Sequence, residues 1–171
     1  MSVAYVMTLL RHSDPREKKI AACALHRLSA HEKRGMKVRM GAVPPLLDLV
    51  RNGTDLQKNQ AAAAVAGLAV RNDGNKLLIA RAGGVSALVE LTRGGTDKQK
   101  SLAVRALYCL AKDEGIRNEI YRRGGIEPII ELVAKNDTLP DLKRYASAAL
   151  RLFDTRATSI IDTKVVCRWS R

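Results

Sequence analysis

The sequence predicts an all-α solenoid, in which short helices repeat along the chain and stack on one another. Three observations predict it: an apolar string that opens with a glycine recurs at a nearly constant spacing, an alanine-rich string follows each copy, and glycine pairs separate the apolar segments. Aromatic residues make up only 4% of the 171 residues. Alanine and aliphatic side chains must therefore fill the core, which favours closely packed helices over a β-sandwich.

The repeat is visible in the letters of the sequence. The first string reads GAVPPLLDL at 41–49, GGVSALVEL at 83–91 and GGIEPIIEL at 124–132, so its first glycine recurs after 42 and then 41 residues. The alanine-rich string reads AAAAVAGLA at 61–69 and AVRALYCLA at 103–111. Related strings, AACALHRLS and ASAALRLF, occur nearer the two ends of the chain. Since no Gly/Ser-rich or Pro-rich linker interrupts the pattern, we expect one domain.

Each unit is expected to begin with two short helices, described here for the copy around residue 83. The first helix, near residues 75–82, is predicted to end at Gly83-Gly84, because glycine adopts the left-handed conformation common at helix C-termini. The second helix, near residues 85–92, places its apolar residues at helical spacing and is predicted to end at Gly94-Gly95. The side chains that we expect it to bury are Val85, Leu88, Val89 and Leu91.

The third helix of the unit is predicted near residues 98–112. Thr96 or Asp97 is expected to cap it by accepting hydrogen bonds from free backbone N–H groups. Leu102, Ala106, Leu107 and Leu110 form one apolar stripe, and the small side chains Ala103 and Ala106 allow neighbouring helices to approach closely. Such a unit cannot bury all its apolar faces alone, so its neighbours must stack on it.

The combined pattern resembles the armadillo repeat. Residues 75–111 carry nearly a full copy of N-x-x-x-I-x-x-A-G-G-[VI]-x-x-L-V-x-L followed by a turn and A-A-x-A-L-x-x-L-A. The resemblance implies a right-handed armadillo superhelix of about three and a half three-helix repeats. It predicts an armadillo domain over residues 1–154 and a divergent tail, a cap or a disordered segment, over residues 155–171. The predicted units are approximately 1–33, 34–74, 75–115 and 116–154. HEAT-like helix pairs are the alternative, disfavoured by the glycine pair after a short first helix.

The sequence contains no pattern of a catalytic site. The glycines at 94–95 lack the spacing of a phosphate-binding loop and no strand precedes them. The histidines at 12, 26 and 31 have no nucleophile paired with them by a known motif. Cys23 and Cys109 occupy equivalent positions two units apart, too far to share a metal or a disulfide if helix layers are about 8–10 Å apart. We therefore expect a non-enzymatic protein without cofactor or metal.

The cysteine usage and the hydropathy pattern predict the compartment. Three scattered cysteines form no paired framework, which suits a reducing environment. No apolar segment has the length of a transmembrane helix or the pattern of a secretory signal. We expect a location in the cytoplasm, the nucleus or both.

The resemblance also implies a binding surface, because third helices of armadillo arrays line a concave groove that receives extended peptides. In arrays of the importin-α type these helices carry a W-x-x-x-N ladder, which is absent here, since Ala63 and Gly67 or Arg105 and Cys109 occupy its positions. Small and basic residues resemble the β-catenin type of groove instead, which takes acidic partners. The candidate groove residues are Lys19, Arg27, Asn59, Ala63, Gly67, Arg71, Ser101, Arg105, Cys109, Arg144 and Ala148.

Two functions are compatible with these features. The formal net charge of +13 favours acidic partners, so the first hypothesis is a protein–protein interaction scaffold that binds an extended, acidic or phosphorylated peptide segment in the groove. The alternative is association with nucleic acid or an anionic membrane through the basic surface, including Arg122, Arg123 and the run at 33–39, although aromatic residues for stacking single strands are few. Apolar solenoid ends are further expected to favour self-association, which light scattering would detect as a species larger than the monomer.

Overall fold

The computed structural model of the protein describes residue 14 and residues 36–70, 72–135 and 139–164. Within these residues the chain forms eight helices and no strand. The first predicted unit and the candidate residues Lys19, Arg27 and Arg71 lie outside the described residues. The helices are α1 (Met36–Asn52), α2 (Asp55–Ala69), α3 (Asp73–Arg81), α4 (Gly84–Gly94), α5 (Asp97–Leu110), α6 (Glu114–Arg122), α7 (Ile126–Ala134) and α8 (Pro140–Lys164).

The helices repeat as triplets, and corresponding helices of successive triplets stack on one another. The triplet α3–α4–α5 is followed by α6–α7–α8, as the sequence predicts for these two units. The third helix α5 packs between α2 and α8, the second helix α4 contacts α1 and α7, and the first helices α3 and α6 also touch. This layering confirms an all-α solenoid, because each unit buries its apolar faces against the next unit.

A glycine pair forms the corner between the first and second helices. Gly83 has φ +78° and Gly124 has φ +63°, so the first glycine of each pair adopts the left-handed conformation. The second glycine permits close approach: a Cβ at Gly84 would lie 2.5 Å from Ile79 Cγ2, and one at Gly125 would lie 2.8 Å from Ile120 Cγ2. The corner therefore requires both glycines, each for a different reason.

The unit before residue 74 differs from the predicted three-helix pattern. Its first and second segments run together as the single helix α1, which passes through position 41 without a break. Position 42 holds alanine where the later units have their second glycine. Because a Cβ at that position would collide with the preceding helix in the corner geometry of Gly84, the alanine disfavours the same corner here.

The third helices α2 and α5 begin with the same capping motif. Thr96 Oγ1 accepts the Gln99 N–H at 3.4 Å, and Gln99 Oε1 accepts the Thr96 N–H at 3.0 Å. Thr54 and Gln57 repeat both bonds at the start of α2. Each reciprocal pair satisfies backbone N–H groups that the first helical turn leaves free. The prediction that Thr96 or Asp97 caps the third helix is confirmed, with Thr96 in that role.

The core contains the predicted apolar residues of α4 and α5. Val85, Leu88, Val89 and Leu91 are all buried, as are Ala106, Leu107 and Leu110 of the α5 stripe. Leu102, the remaining member of that stripe, is partly exposed and packs against the core. Ala103 and Ala106 have no exposed surface, which agrees with close packing of α5 against its neighbours.

Two arginines join consecutive units in a way that the sequence pattern did not indicate. Arg51, in the last turn of α1, donates from Nη2 to the carbonyl of Gly83 at 2.9 Å. Arg93, in the last turn of α4, donates in the same way to the carbonyl of Gly124 at 2.7 Å. Each bond connects the end of a second helix with the glycine corner of the following unit, so the contact repeats with the fold.

The last helix continues beyond the predicted repeat. α8 extends to Lys164, past the end of the last predicted unit at residue 154. The assignment of residues 155–171 as a separate tail stays a prediction, as do the exact unit boundaries. Among the helices of the described ranges, none combines the length and apolar character needed to cross a membrane.

Candidate binding surface on the third helices

The candidate site lies on the partly exposed sides of α2, α5 and α8, which we call the third-helix face. These three helices form one layer, since α5 packs against both α2 and α8. On α2 the face contains Asn59, Ala63 and Gly67, spaced four residues apart and all partly exposed. Four-residue spacing places them on one side of the helix, so the predicted row is accessible on α2.

Asn59 contributes an unpaired acceptor to this face. Its side-chain oxygen Oδ1 is buried and accepts no hydrogen bond from any described residue. A buried carbonyl oxygen without a partner is unfavourable by roughly 1–3 kcal/mol. A peptide N–H could reach this oxygen only if the side chain rotated, so the role of Asn59 in binding stays a prediction.

The predicted residues of α5 and α8 differ in accessibility. Ser101 and Arg105 on α5 and Ala148 on α8 are partly exposed, and the side chain of Arg144 on α8 is 68% exposed. Cys109 retains only 7% of its surface, because it lies in the layer between packed helices. It therefore offers a partner little contact area.

The chemistry of Cys109 agrees with a packing role. Desolvation by burial raises the pKa of its thiol above the ordinary 9.0, although the positive charges of Lys112, Arg105 and Lys76 oppose that rise. The thiol is therefore protonated at neutral pH, and a thiol is a much weaker nucleophile than a thiolate.

Two tyrosines and three cations form a cluster where α5 meets α8, which we call the Tyr–Arg cluster. The ring centroids of Tyr108 and Tyr145 lie 6.4 Å apart at an interplanar angle of 45°. Arg105 Cζ lies 5.7 Å and Arg144 Cζ lies 5.0 Å from the Tyr145 centroid. Lys112 Nζ lies 5.0 Å from the Tyr108 centroid. These distances are within the range of cation–π attraction, so the rings attract the three cations.

The cluster has more positive than negative charge. Arg144 forms an ion pair with Asp141 at 3.7 Å, but both side chains are highly exposed, at 68% and 78%, and such pairs are weak. Within the described ranges, Arg105 and Lys112 make no ion pair. Among the described residues, Asp141 is the carboxylate that pairs with a cation of this cluster, and it pairs weakly and with Arg144 alone.

A second concavity is less suited to a charged partner. An open cleft of about 400 Å³ lies between α3 and α6, with both Arg81 and Arg123 and both Asp113 and Glu119 in its lining. Arg123 already donates to Glu119 at 2.8 Å and also contacts the Ser86 hydroxyl. Because opposite charges balance there, the cleft shows no preference for anions or cations.

Comparison with known proteins supports the fold. No protein-family model matches the sequence, and no curated protein matches it significantly. Several solved structures do match. Computationally designed armadillo repeat proteins for modular peptide recognition superpose with a TM-score of 0.81 at 20% sequence identity. That alignment covers 94% of this chain and 70% of the designed chain. A designed armadillo repeat protein in complex with peptide (KR)4 gives a TM-score of 0.82 at 19% identity, covering 96% and 71%. The chain has an armadillo-like repeat fold.

An engineered protein of known structure also superposes on this chain. It gives a TM-score of 0.82 at 25% identity, and the alignment covers 95% of this chain and 68% of that protein. The armadillo-like fold was therefore correctly predicted from the repeated strings, although few residues are shared with these neighbours.

The sequence pattern did not lead us to predict the Tyr–Arg cluster. Arg105, Tyr108 and Lys112 follow one another at three- and four-residue steps, which places Arg105 and Tyr108 on one side of α5 and Lys112 just beyond its end. That spacing could have predicted that Arg105 and Lys112 flank Tyr108. No sequence pattern could have predicted the contact with Tyr145, because that contact depends on how α8 stacks on α5. The tyrosines also qualify the expectation that stacking aromatics are few, since the fold brings two of them together.

The metal and catalytic predictions involve some residues that the structure describes and some that it does not. The three histidines lie outside the described residues. Within the described ranges, no group of three or more His, Cys, Asp or Glu side chains is arranged to hold a metal ion.

Proposed function

We propose that the protein is a non-enzymatic interaction scaffold that binds an extended, acidic or phosphorylated peptide segment along the third-helix face. The single observation that carries the proposal is the positive charge of Arg105 and Lys112, which no described residue pairs, beside the weakly paired Arg144. Arginine forms bidentate hydrogen bonds with carboxylate and phosphate groups. An acidic segment is therefore the electrostatic complement of this face.

Other features of the face support an extended ligand. Ala63, Gly67 and Ala148 are small and partly exposed, so a peptide backbone can approach the helices there. Asn59 is partly exposed on the same face and carries an amide group that can hydrogen-bond a peptide backbone. Among proteins of similar fold, one is in complex with peptide (KR)4. The cations of the third-helix face predict the opposite preference here.

A binding comparison tests the proposal. Fluorescence anisotropy would measure affinities for a peptide of alternating glutamate and serine and for (KR)4 itself. We expect the acidic peptide to bind and the basic peptide not to bind. Arg105→Glu is expected to weaken acidic-peptide binding by about tenfold or more, because it replaces attraction with repulsion. Unchanged binding by this variant would remove the third-helix face from consideration.

A matched control separates this proposal from the alternative. Arg122 is exposed on α6, and its Nε donates only a long 3.4 Å bond to the carbonyl of Asn118. Arg122→Glu carries the same charge change as Arg105→Glu but lies on a first helix. We expect it to leave peptide affinity unchanged. If it instead abolishes strongly salt-dependent binding to mixed-sequence DNA or RNA, the basic-surface alternative is supported.

A further inference from the structure

The third-helix face contains one place where the positive groups are both concentrated and oriented. Arg105 and Arg144 lie within 5.7 and 5.0 Å of the same Tyr145 ring. A guanidinium group that contacts a ring through its flat face leaves the N–H donors in its plane available. Both arginines therefore lie against one tyrosine ring and keep further N–H donors for a ligand, since each guanidinium group carries five.

The Tyr145 hydroxyl adds a further donor. Arg144 Nη2 donates to the Tyr145 oxygen at 3.2 Å. Since that bond uses the oxygen as an acceptor, the hydroxyl proton can point to a ligand. Arg105, Arg144 and Tyr145 thus present donors from two helices, with the ammonium group of Lys112 beside the neighbouring Tyr108 ring.

The acidic groups near the cluster do not neutralise it. Asp141 is 3.7 Å from Arg144 and largely exposed. Asp113 Oδ1 accepts the Ile116 N–H at 3.0 Å at the start of α6, and within the described ranges Asp113 forms no ion pair with a cation of the cluster. The nearby thiol of Cys109 is buried and adds no negative charge at neutral pH. A compact anion with several acceptor oxygens is the chemical complement of this arrangement.

We infer that the Tyr–Arg cluster is a recognition site for one phosphorylated serine or threonine side chain within the bound segment. This inference rests on the proposed peptide-binding function and names the group that the segment presents at α5 and α8. A phosphate carries close to two negative charges and three acceptor oxygens, whereas a carboxylate carries one charge and two oxygens. The phosphate therefore offers the two guanidinium groups and the hydroxyl more charge and one more acceptor oxygen than a carboxylate does.

The same geometry disfavours a nucleic-acid single strand. Bases bind such proteins by stacking on open aromatic faces. Here Arg105 and Arg144 lie over the Tyr145 ring and Lys112 lies over the Tyr108 ring. The rings orient cations, and a base must displace them in order to stack.

The experiment compares two peptides of identical sequence. Isothermal titration calorimetry would measure the affinity of the peptide of alternating glutamate and serine and of the same peptide with one central phosphoserine. We expect the phosphopeptide to bind about tenfold more tightly, as one or two additional charge-assisted hydrogen bonds allow. Arg105→Gln and Arg144→Gln should each remove most of this difference, and Tyr145→Phe should reduce it while keeping the ring.

The control variant is Arg122→Gln, which removes one exposed arginine from α6 and should preserve the tenfold preference. Circular dichroism of each variant would confirm that it remains helical, and the Tyr145 ring resonances of the parent protein should shift further with the phosphopeptide than with the unphosphorylated peptide. Equal affinity for both peptides would overturn the phosphate inference but leave the proposed scaffold function standing. Absence of binding by either peptide would reject both. Tighter binding of a single-stranded oligonucleotide that displaces the phosphopeptide would also overturn the inference.

Discussion

At the scale of single residues, the glycine corners show how strongly local backbone geometry constrains this chain. Gly83 has φ +78°, a conformation in which side-chain-bearing residues are strained, and a Cβ there would lie 3.0 Å from Arg51 Nη2. Gly94 has no atom within 4 Å of the corresponding Cβ position. Both glycines flank or end α4, but only Gly83 is required by its conformation.

We expect Gly83→Ala to lower the free energy of unfolding by about 1–2 kcal/mol, because of left-handed strain and crowding of the Arg51 bond. Gly94→Ala is the matched control. It should be neutral or stabilise the protein by up to about 1 kcal/mol, since it reduces the freedom of the unfolded chain. Urea denaturation followed by circular dichroism would measure both. Equal effects of the two substitutions would contradict the corner assignment.

At the scale of helices, successive units form the same hydrogen bonds between helix ends where their residues match. Where the residues differ, other side chains form equivalent hydrogen bonds. Asn75 Nδ2 donates to the Leu68 carbonyl at 2.7 Å and so joins the start of α3 to the end of α2. The next unit has isoleucine at the equivalent position 116, and Arg117 Nη1 instead donates to the Ala111 carbonyl at 3.1 Å. Different side chains thus satisfy carbonyls at the ends of successive third helices.

The cap of α5 gives a prediction at this scale. Thr96→Ala removes the side-chain oxygen that accepts the Gln99 N–H, and we expect a loss of about 1 kcal/mol in the free energy of unfolding. Thr96→Ser keeps the hydroxyl and should restore most of the loss. Thermal denaturation would compare the three proteins. If the serine variant were as unstable as the alanine variant, packing of the Thr96 methyl group rather than capping would be the cause.

At the scale of the whole molecule, stability depends on contacts between neighbouring units. In a solenoid, each unit is stabilised by its own packing and by its interfaces with adjacent units. Arg51 and Arg93 place equivalent hydrogen bonds across two successive interfaces. Gln99 adds another at the third helices, donating from Nε2 to Asp55 Oδ1 at 3.0 Å.

We expect Arg93→Ala to lower the free energy of unfolding by about 0.5–1.5 kcal/mol, as for one lost hydrogen bond. It should also broaden the urea transition, because weaker coupling lets the α6–α8 unit unfold separately. Hydrogen exchange would show faster exchange in that unit than in α4 and α5. Arg122→Ala, a change of the same type on the exposed side of α6, should alter neither quantity. A sharp transition in Arg93→Ala would argue against a coupling role.

Much of this architecture was predictable because its signals are local. The glycine pair at 83–84, the threonine at 96 and the apolar spacing in 85–91 each act within one or two helical turns, and all three were predicted correctly. The fused helix α1 was not predicted, although the alanine at position 42 was a visible departure from the glycine pair. Seven of the candidate groove residues proved at least partly exposed, namely Asn59, Ala63, Gly67, Ser101, Arg105, Arg144 and Ala148. Their role in binding stays a prediction.

The amino-acid sequence was therefore sufficient for the repeat, its helices and the armadillo-like fold, because periodic apolar residues and helix stops specify each unit locally. Only the tertiary structure decided which side chains meet between units. The Arg51–Gly83 bond spans 32 residues, and the Tyr145 ring meets Arg105 and Tyr108 from another unit. Such contacts depend on the offset and rotation with which α8 stacks on α5, and repeat spacing along the chain does not contain that information. The feature that most sharply defines the proposed ligand thus arises from packing between units.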